Sequence, residues 1–151
     1  MSDNLTTLIE RTRCLLTDGG SLTWSEAELG ECVHQAFDDI NQAAGQTWSL
    51  AGLDAAASTD LPPGLASLLA RGAAAYALFV VAARRADLFN FQPGICQAWT
   101  NAGEVFLKQF QGGLAYLAQV RLSGLHLSAD APFPIEDDAS PGGWRLDDEQ
   151  R

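Results

Sequence analysis

Length, composition and charge set the first limits on this chain. It has 151 residues, of which 47% are apolar, a size that suits one domain, or one domain with an arm, and argues against wholesale disorder. Its 19 acidic and nine basic residues give a formal charge of −10. So few scattered Lys and Arg disfavour both a surface that grips nucleic-acid phosphates and a polybasic membrane contact.

The first predicted helix covers residues 3–16. Asp3 or Asn4 can act as its N-cap, because a short polar side chain can accept a hydrogen bond from a free backbone N–H of the first turn. The helix is expected to stop before Gly19 and Gly20, since two adjacent glycines cost too much backbone entropy inside a helix.

The second predicted helix has the clearest start signal in the chain. Thr23 and Glu26 fit a capping box, with Thr23 at the N-cap position and Glu26 at N3. The helix is expected to end near Ala44, with Gly45 in the left-handed conformation that closes many helices. Its apolar residues form one predicted core face: Leu29, Val33, Ala36, Phe37 and Ile40. Its polar residues form the predicted solvated face: Glu28, Glu31, Gln35, Asp38 and Asp39.

The third predicted helix covers residues 63–86 and follows an irregular segment in which residues 46–50 alternate polar and apolar side chains. Pro63 suits the first helical position, because proline lacks the N–H that this position leaves unpaired. The helix is apolar on almost all sides, which predicts burial. Its alanine face suits close approach of another helix, from this chain or from a neighbouring subunit. Residues 73–83, the longest strongly apolar run, are too few to span a bilayer.

The fourth predicted helix covers residues 95–122. Trp99, Phe106 and Phe110 recur at helical spacing and are best explained as core residues rather than interface residues. Gly112 and Gly113 fall inside the pattern and predict a kink or a close helix contact, with a true break as the lesser alternative.

The last 29 residues differ in composition from the rest, so the chain is predicted to divide into a helical domain, residues 1–122, and an acidic extended C-terminal arm, residues 123–151. Prolines and a glycine pair oppose regular structure in the arm, yet it keeps large apolar side chains. Phe133 and Ile135 alternate with prolines, and Trp144 stands beside Arg145. Trp and Arg are enriched among binding anchors, so these four residues are the candidate partner-binding residues. The alternative is that Trp144 is simply an exposed tryptophan.

No catalytic, cofactor-binding or metal-binding motif is found. Cys14, Cys32 and Cys96 lack the spacing of a zinc site, and buried reduced thiols are their simplest interpretation. His34 and His126 are best explained as structural residues. Asp38 and Asp39 are neighbours on a helix and therefore point about 100° apart, which does not suit paired acid and base catalysis. The sequence thus predicts an all-α bundle of about four helices that is not an enzyme and needs no cofactor.

The order of these features resembles the head–tail connector (adaptor) proteins of tailed bacteriophages, over roughly residues 5–120. Members of that family commonly begin the second helix with a Trp/Ser-Asp/Glu-x-Glu-Leu pattern. Here the corresponding stretch reads LTWSEAELGECVHQAFDDINQAAG. A Leu-Pro segment, the Ala-rich helix of LPPGLASLLARGAAAYALFVVAARRADLFN with Tyr76, and a last long helix follow in the same order.

The resemblance implies a virion protein of the phage neck, made in the host cytoplasm. It implies assembly as a ring, a dodecamer, beneath the portal protein, with a stopper or tail-completion protein bound below. Genome DNA passes through the channel of such a ring, without sequence-specific binding. The long acidic, Trp-bearing end departs from the family's simplest form.

Two other classes of function remain open from the residues alone. One is a small acidic regulatory or inhibitor protein that binds a basic partner through its tail. The other is a helical enzyme or ligand-binding bundle, which would reveal itself by an apolar cavity with converging polar groups.

Overall fold

The computed structural model describes residues 3–20, 23–86 and 93–128. Four α-helices form the fold in the order α1 (Leu5–Leu16), α2 (Glu26–Ala44), α3 (Ala66–Ala86) and α4 (Pro93–Ser128), and a short 3₁₀ turn, Pro63–Leu65, precedes α3. The described residues contain no strand, so the predicted all-α class is confirmed. α3 lies at the centre of the bundle and packs against each of the other three α-helices.

α1 begins where its sequence signals place it. The Asn4 side chain accepts a hydrogen bond from the Thr7 backbone N–H at 2.8 Å, so Asn4 rather than Asp3 is the N-cap. The helix ends at Thr17, whose left-handed backbone places its N–H near the last carbonyls. The termination before the glycine pair is therefore confirmed, with Thr17 instead of a glycine in the left-handed position.

The capping box of α2 lies two residues later than predicted. Ser25, not Thr23, is the N-cap, and Glu28, not Glu26, is its N3 partner. The sequence holds both registers, and tertiary contacts select the second. The Asp18 carboxylate accepts hydrogen bonds from the backbone N–H groups of Thr23 and Trp24, at 3.2 and 3.4 Å, which keeps these two residues outside the helix.

Trp24 anchors this turn in the core. Only 4% of its surface is exposed, and its indole N–H donates to the Ala77 carbonyl of α3 at 3.0 Å. Arg13 is also buried and donates to the Trp24 carbonyl at 3.1 Å and to Asp18 at 3.3 Å. This turn thus joins the end of α1, the start of α2 and the middle of α3. The sequence did not predict this buried polar cluster.

The two faces predicted for α2 are largely confirmed. All five residues of the predicted core face are buried, and Gly45 ends the helix in the left-handed conformation. On the polar face, Glu28 and Asp39 are partly covered by α3, because Glu28 pairs with Arg84 and Asp39 accepts a hydrogen bond from the Tyr76 hydroxyl at 2.5 Å. The solvated face is therefore narrower than expected.

Residues 46–50 form irregular backbone. The Asn41 side chain organises this segment, because its amide oxygen accepts from the Trp48 N–H at 3.1 Å and its amide nitrogen donates to the Trp48 carbonyl at 3.2 Å. Trp48 itself is partly buried and packs against the core.

Close contacts between α3 and α4 explain their glycines. A Cβ atom built on Gly72 of α3 would lie 2.7 Å from the ring of Phe110, and one built on Gly113 of α4 would overlap the Leu68 side chain. The predicted close contact at the Gly112-Gly113 pair is thus correct for Gly113, and a break there is wrong, because α4 is one continuous helix.

α4 also extends six residues beyond the predicted end at 122. The first residues assigned to the arm, 123–128, therefore belong to the helix.

α3 is a strongly apolar helix. By length and composition alone, Pro63–Arg85 could cross a membrane, with a mean hydropathy of 1.8 over 18 of its residues. Within the bundle, 56% of those 18 residues are buried. A core helix of a soluble protein has the same properties.

Glu28 makes the start of α2 sensitive to acid. The Ser25 backbone N–H, the Arg84 side chain and the Ser25 hydroxyl together lower the pKa of Glu28 to about 2. A folded pKa below the usual 4.5 means that this stabilisation is fully present above pH 4.5 and is lost as the pH falls towards 2.

We expect Glu28→Ala to lower the free energy of unfolding at pH 7 by about 0.5–1 kcal/mol, the size of a capping interaction at a partly exposed site. The deficit is expected to shrink as the pH falls from 4.5 towards 2. Urea unfolding followed by circular dichroism at several pH values measures both effects. Glu26→Ala is the matched control, since Glu26 lies in the same turn outside the capping box. A deficit that stayed constant with pH would contradict the assignment.

Candidate interaction surfaces

The residue types that support catalysis do not converge among the described residues. No group of three or more His, Cys, Asp and Glu side chains in residues 3–20, 23–86 and 93–128 is placed to hold a metal ion. Asp38 and Asp39 face different partners, since Asp38 lies 3.7 Å from His34 and Asp39 accepts from Tyr76. His34 is half-buried, with its Nε2 also 3.2 Å from a carboxylate oxygen of Asp54. The side chain of His126 lies outside the described part of the structure.

The alanine face of α3, one candidate from the sequence for contact with a neighbouring subunit, is covered within the chain. Its residues are at most 2% exposed: Ala66, Ala70, Ala73, Ala74 and Ala77. Val80 is the large apolar side chain of α3 that stays exposed, with 43% of its surface accessible. The alanine face is therefore not available to a neighbouring subunit.

α4 packs on the bundle through one face. Phe110 is fully buried and meets the ring of Tyr76 edge to face, with ring centroids 6.1 Å apart. Trp99 and Phe106 are partly buried and pack against the core, and Arg85 lies over the Trp99 ring at 4.9 Å. The prediction that these three aromatic residues belong to the core is confirmed.

Beside this packed face, α4 carries a second apolar face that the described residues leave exposed. We define its outer face by four residues, of which 43%, 57%, 66% and 50% are exposed: Ile95, Val105, Tyr116 and Val120. At 100° per residue they fall within roughly 80° of one another around the helix axis, and at 1.5 Å per residue they extend over about 38 Å. Small uncharged residues lie between these four along the face, among them Ala98 and Gly112, which are both exposed.

Charge is scarce along α4. The helix has 36 residues and only three charged side chains, Glu104, Lys108 and Arg121. Arg121 turns towards the bundle, where it donates to the Gln42 carbonyl at 3.4 Å near the end of α2. Lys108 lies beside Val105 at the edge of the outer face and lines a shallow depression of about 410 Å³. In a chain of charge −10, this is an unusually uncharged exposed surface.

A second surface lies between α2 and α3, and we call it the acidic groove. Its volume is about 370 Å³, and seven residues line it: Glu28, Glu31, Cys32, His34, Gln35, Asp38 and Val80. α2 supplies most of its wall, and this helix has five acidic residues and no Lys or Arg. The groove therefore combines an exposed aliphatic side chain with a strongly negative rim.

The cysteines differ in environment, and the expectation of buried thiols holds only for Cys32. All three are free, with Cys14 exposed and Cys96 partly exposed. Burial, helped by the charges of Glu28 and Glu31, raises the pKa of the Cys32 thiol to about 11. Since the thiolate is the reactive form, Cys32 is a poor nucleophile at neutral pH.

We expect iodoacetamide at pH 8 to alkylate Cys14 first and to leave Cys32 unmodified for at least ten times as long in the native protein. Mass spectrometry of peptides taken at successive times measures the order. Cys14→Ser is the control that isolates the slower sites, and denaturant is expected to remove the protection of Cys32. Equal rates at both residues would show that Cys32 is more accessible than the structure indicates.

The candidate partner-binding residues from the sequence, Phe133, Ile135, Trp144 and Arg145, all lie outside the described residues. The outer face of α4 was missed by the sequence analysis, which traced only the stripe that packs inward. The signal was the near absence of charge over the whole helix. Comparisons with known protein families, with curated protein sequences and with solved structures find no match for this chain.

Proposed function

We propose that this protein is a structural head–tail adaptor of a tailed phage, a virion protein of the neck that assembles as a ring under the portal. In this role it joins the portal to the next neck or tail protein, such as a stopper or tail-completion protein. It needs no catalytic step, cofactor or metal. The proposal combines the resemblance in the order of sequence features with the surface of α4.

The outer face of α4 is the observation that carries the proposal. Val105 and Tyr116 are more than half exposed on a helix whose inner face already completes the core. Exposed apolar surface of this extent marks a site of protein contact more often than an idle surface. An assembly protein needs such surfaces, because its function is to be covered by neighbours.

The charge of the chain suits a channel for DNA. Each Lys or Arg that contacts a phosphate strengthens binding to nucleic acid, whereas a wall of charge −10 per subunit does not hold the backbone. DNA in such a channel would pass without being gripped and without its sequence being read.

Reconstitution with the portal tests the function. The full chain is mixed with the purified portal ring encoded by the same genome, and electron microscopy is expected to show an added ring on the portal. Tyr116→Arg is expected to abolish the added ring, whereas Leu15→Arg, at a residue that is 38% exposed on α1, serves as the matched control. A wild-type chain without affinity for the portal would refute the proposal.

A small acidic regulator is the second candidate, and the acidic groove favours it. The five carboxylates of α2 offer a basic partner a surface with little competing positive charge. Tight, salt-sensitive binding to one basic protein, together with no affinity for the portal, would support this alternative.

A further inference from the structure

We propose that a second copy of this chain occupies the acidic groove, with the outer face of α4 from one copy seated between α2 and α3 of the next. This inference deepens the proposed function, because it names the two surfaces that would meet between neighbouring subunits of the ring.

The exposed apolar residues of the described chain concentrate on the two surfaces. Of the seven large apolar side chains that are most exposed, four form the outer face of α4 and one is Val80 in the acidic groove, while Leu122 and Leu15 lie elsewhere on α4 and α1. The groove and the outer face lie on different helices and share no residue. Contact between them would bury apolar surface on both copies at once.

Charge selects this pairing over others. Two copies of charge −10 repel each other, so they associate best where carboxylates of one copy do not face those of the other. Lys108 stands at the edge of the outer face, and Glu31 and Asp38 stand on the rim of the groove. Neither Lys108 nor Glu31 belongs to an ion pair among the described residues. A neighbouring copy supplies each with an opposite charge.

The shapes of the surfaces also fit. The outer face of α4 is one side of a long helix, and its exposed small residues, Ala98 and Gly112, allow another backbone to approach closely. A helix laid into a groove through a stripe of apolar residues is a common mode of protein recognition. Because the two surfaces differ, the contact is head to tail, and it closes into a ring when the rotation between copies allows.

Charge reversal tests the pairing. Sedimentation velocity of the purified full chain over a range of concentrations is expected to show self-association. Lys108→Glu or Glu31→Lys alone is expected to weaken it at least tenfold, and the double variant K108E/E31K is expected to restore it, because the pair is reversed rather than lost. Glu10→Lys on α1 is the matched control for a change of surface charge, since Glu10 is exposed and lies outside both surfaces.

Cysteine pairing identifies which surfaces meet. In a Cys14→Ser, Cys96→Ser background, Val80→Cys and Val105→Cys chains are oxidised separately and as a mixture. Head-to-tail contact predicts disulfide-linked dimers mainly in the mixture. Equally rapid dimers from Val105→Cys alone would show α4 against α4 and overturn the proposal, as would a wild-type chain that stays monomeric at every concentration.

These outcomes separate the inference from the function on which it rests. Portal binding without the predicted pairing would leave the adaptor function standing and refute this interface. The predicted pairing without any affinity for the portal would support the interface and refute the adaptor function.

Discussion

Replacing Phe110 by Ala is expected to lower the free energy of unfolding by about 3–5 kcal/mol, the range measured for large aromatic residues removed from a core. Phe110 is the largest side chain in the bundle that is fully buried. Its ring fills the space left by Gly72 and packs edge to face on Tyr76. The loss of these contacts opens a cavity between α3 and α4, the helix pair with the most extensive contact in the fold.

Thermal and urea unfolding measure the effect, with an expected fall in Tm of roughly 10 °C for a chain of this size. Val105→Ala is the control on the same helix, because Val105 is 57% exposed and its truncation should change the free energy of unfolding by less than about 0.5 kcal/mol. If Phe110→Ala lowered the free energy of unfolding by less than about 1 kcal/mol, the described packing of Phe110 against Gly72 would be contradicted.

Removing residues 129–151 is expected to leave the helical domain folded and to abolish attachment to the portal. The described helices already form a continuous buried core that runs from Leu8 to Phe110. The cut follows Ser128, the last residue of α4, instead of the predicted boundary at 122, which would remove part of the helix.

Circular dichroism and cooperative thermal unfolding report on the domain, and portal binding reports on the arm. Trp144→Ala is the narrower variant, and we expect it to weaken attachment by about 2 kcal/mol, the size of a binding hot spot. Trp144→Phe, which keeps an aromatic ring, should lose less of the binding free energy for the portal. A truncated chain that unfolds without cooperativity would show that the arm belongs to the core, and unchanged affinity of the alanine variant would remove Trp144 from the interface.

Helix positions were predictable from sequence because their causes are local. Asn4 caps the residue three positions away, and Gly45 takes a backbone conformation that other residues adopt at a cost. The core face of α2 follows from the helical repeat alone, and all of its predicted residues are buried. Neighbouring residues along the chain determine each of these features.

The capping register of α2 needed the tertiary structure. Two overlapping capping boxes of equal local quality occur in residues 23–28, one formed by Thr23 and Glu26 and the other by Ser25 and Glu28. The choice depends on the burial of Trp24 against Ala77 and on the hydrogen bonds from Asp18. A residue that lies 53 positions away in sequence thus decides where α2 begins.

The sequence by itself determined four helices, their approximate ends, an acidic balance and a change of character near the C-terminus. Only the tertiary structure decided which apolar surfaces stay uncovered. α3 and α4 are about equally apolar overall, so their composition does not distinguish a helix that is enclosed from one that keeps an exposed apolar face. The physical reason is that the burial of a side chain depends on which other helices pack against its own helix. α3 is enclosed by three neighbouring helices, whereas α4 packs on the bundle through one face and leaves Val105 and Tyr116 exposed.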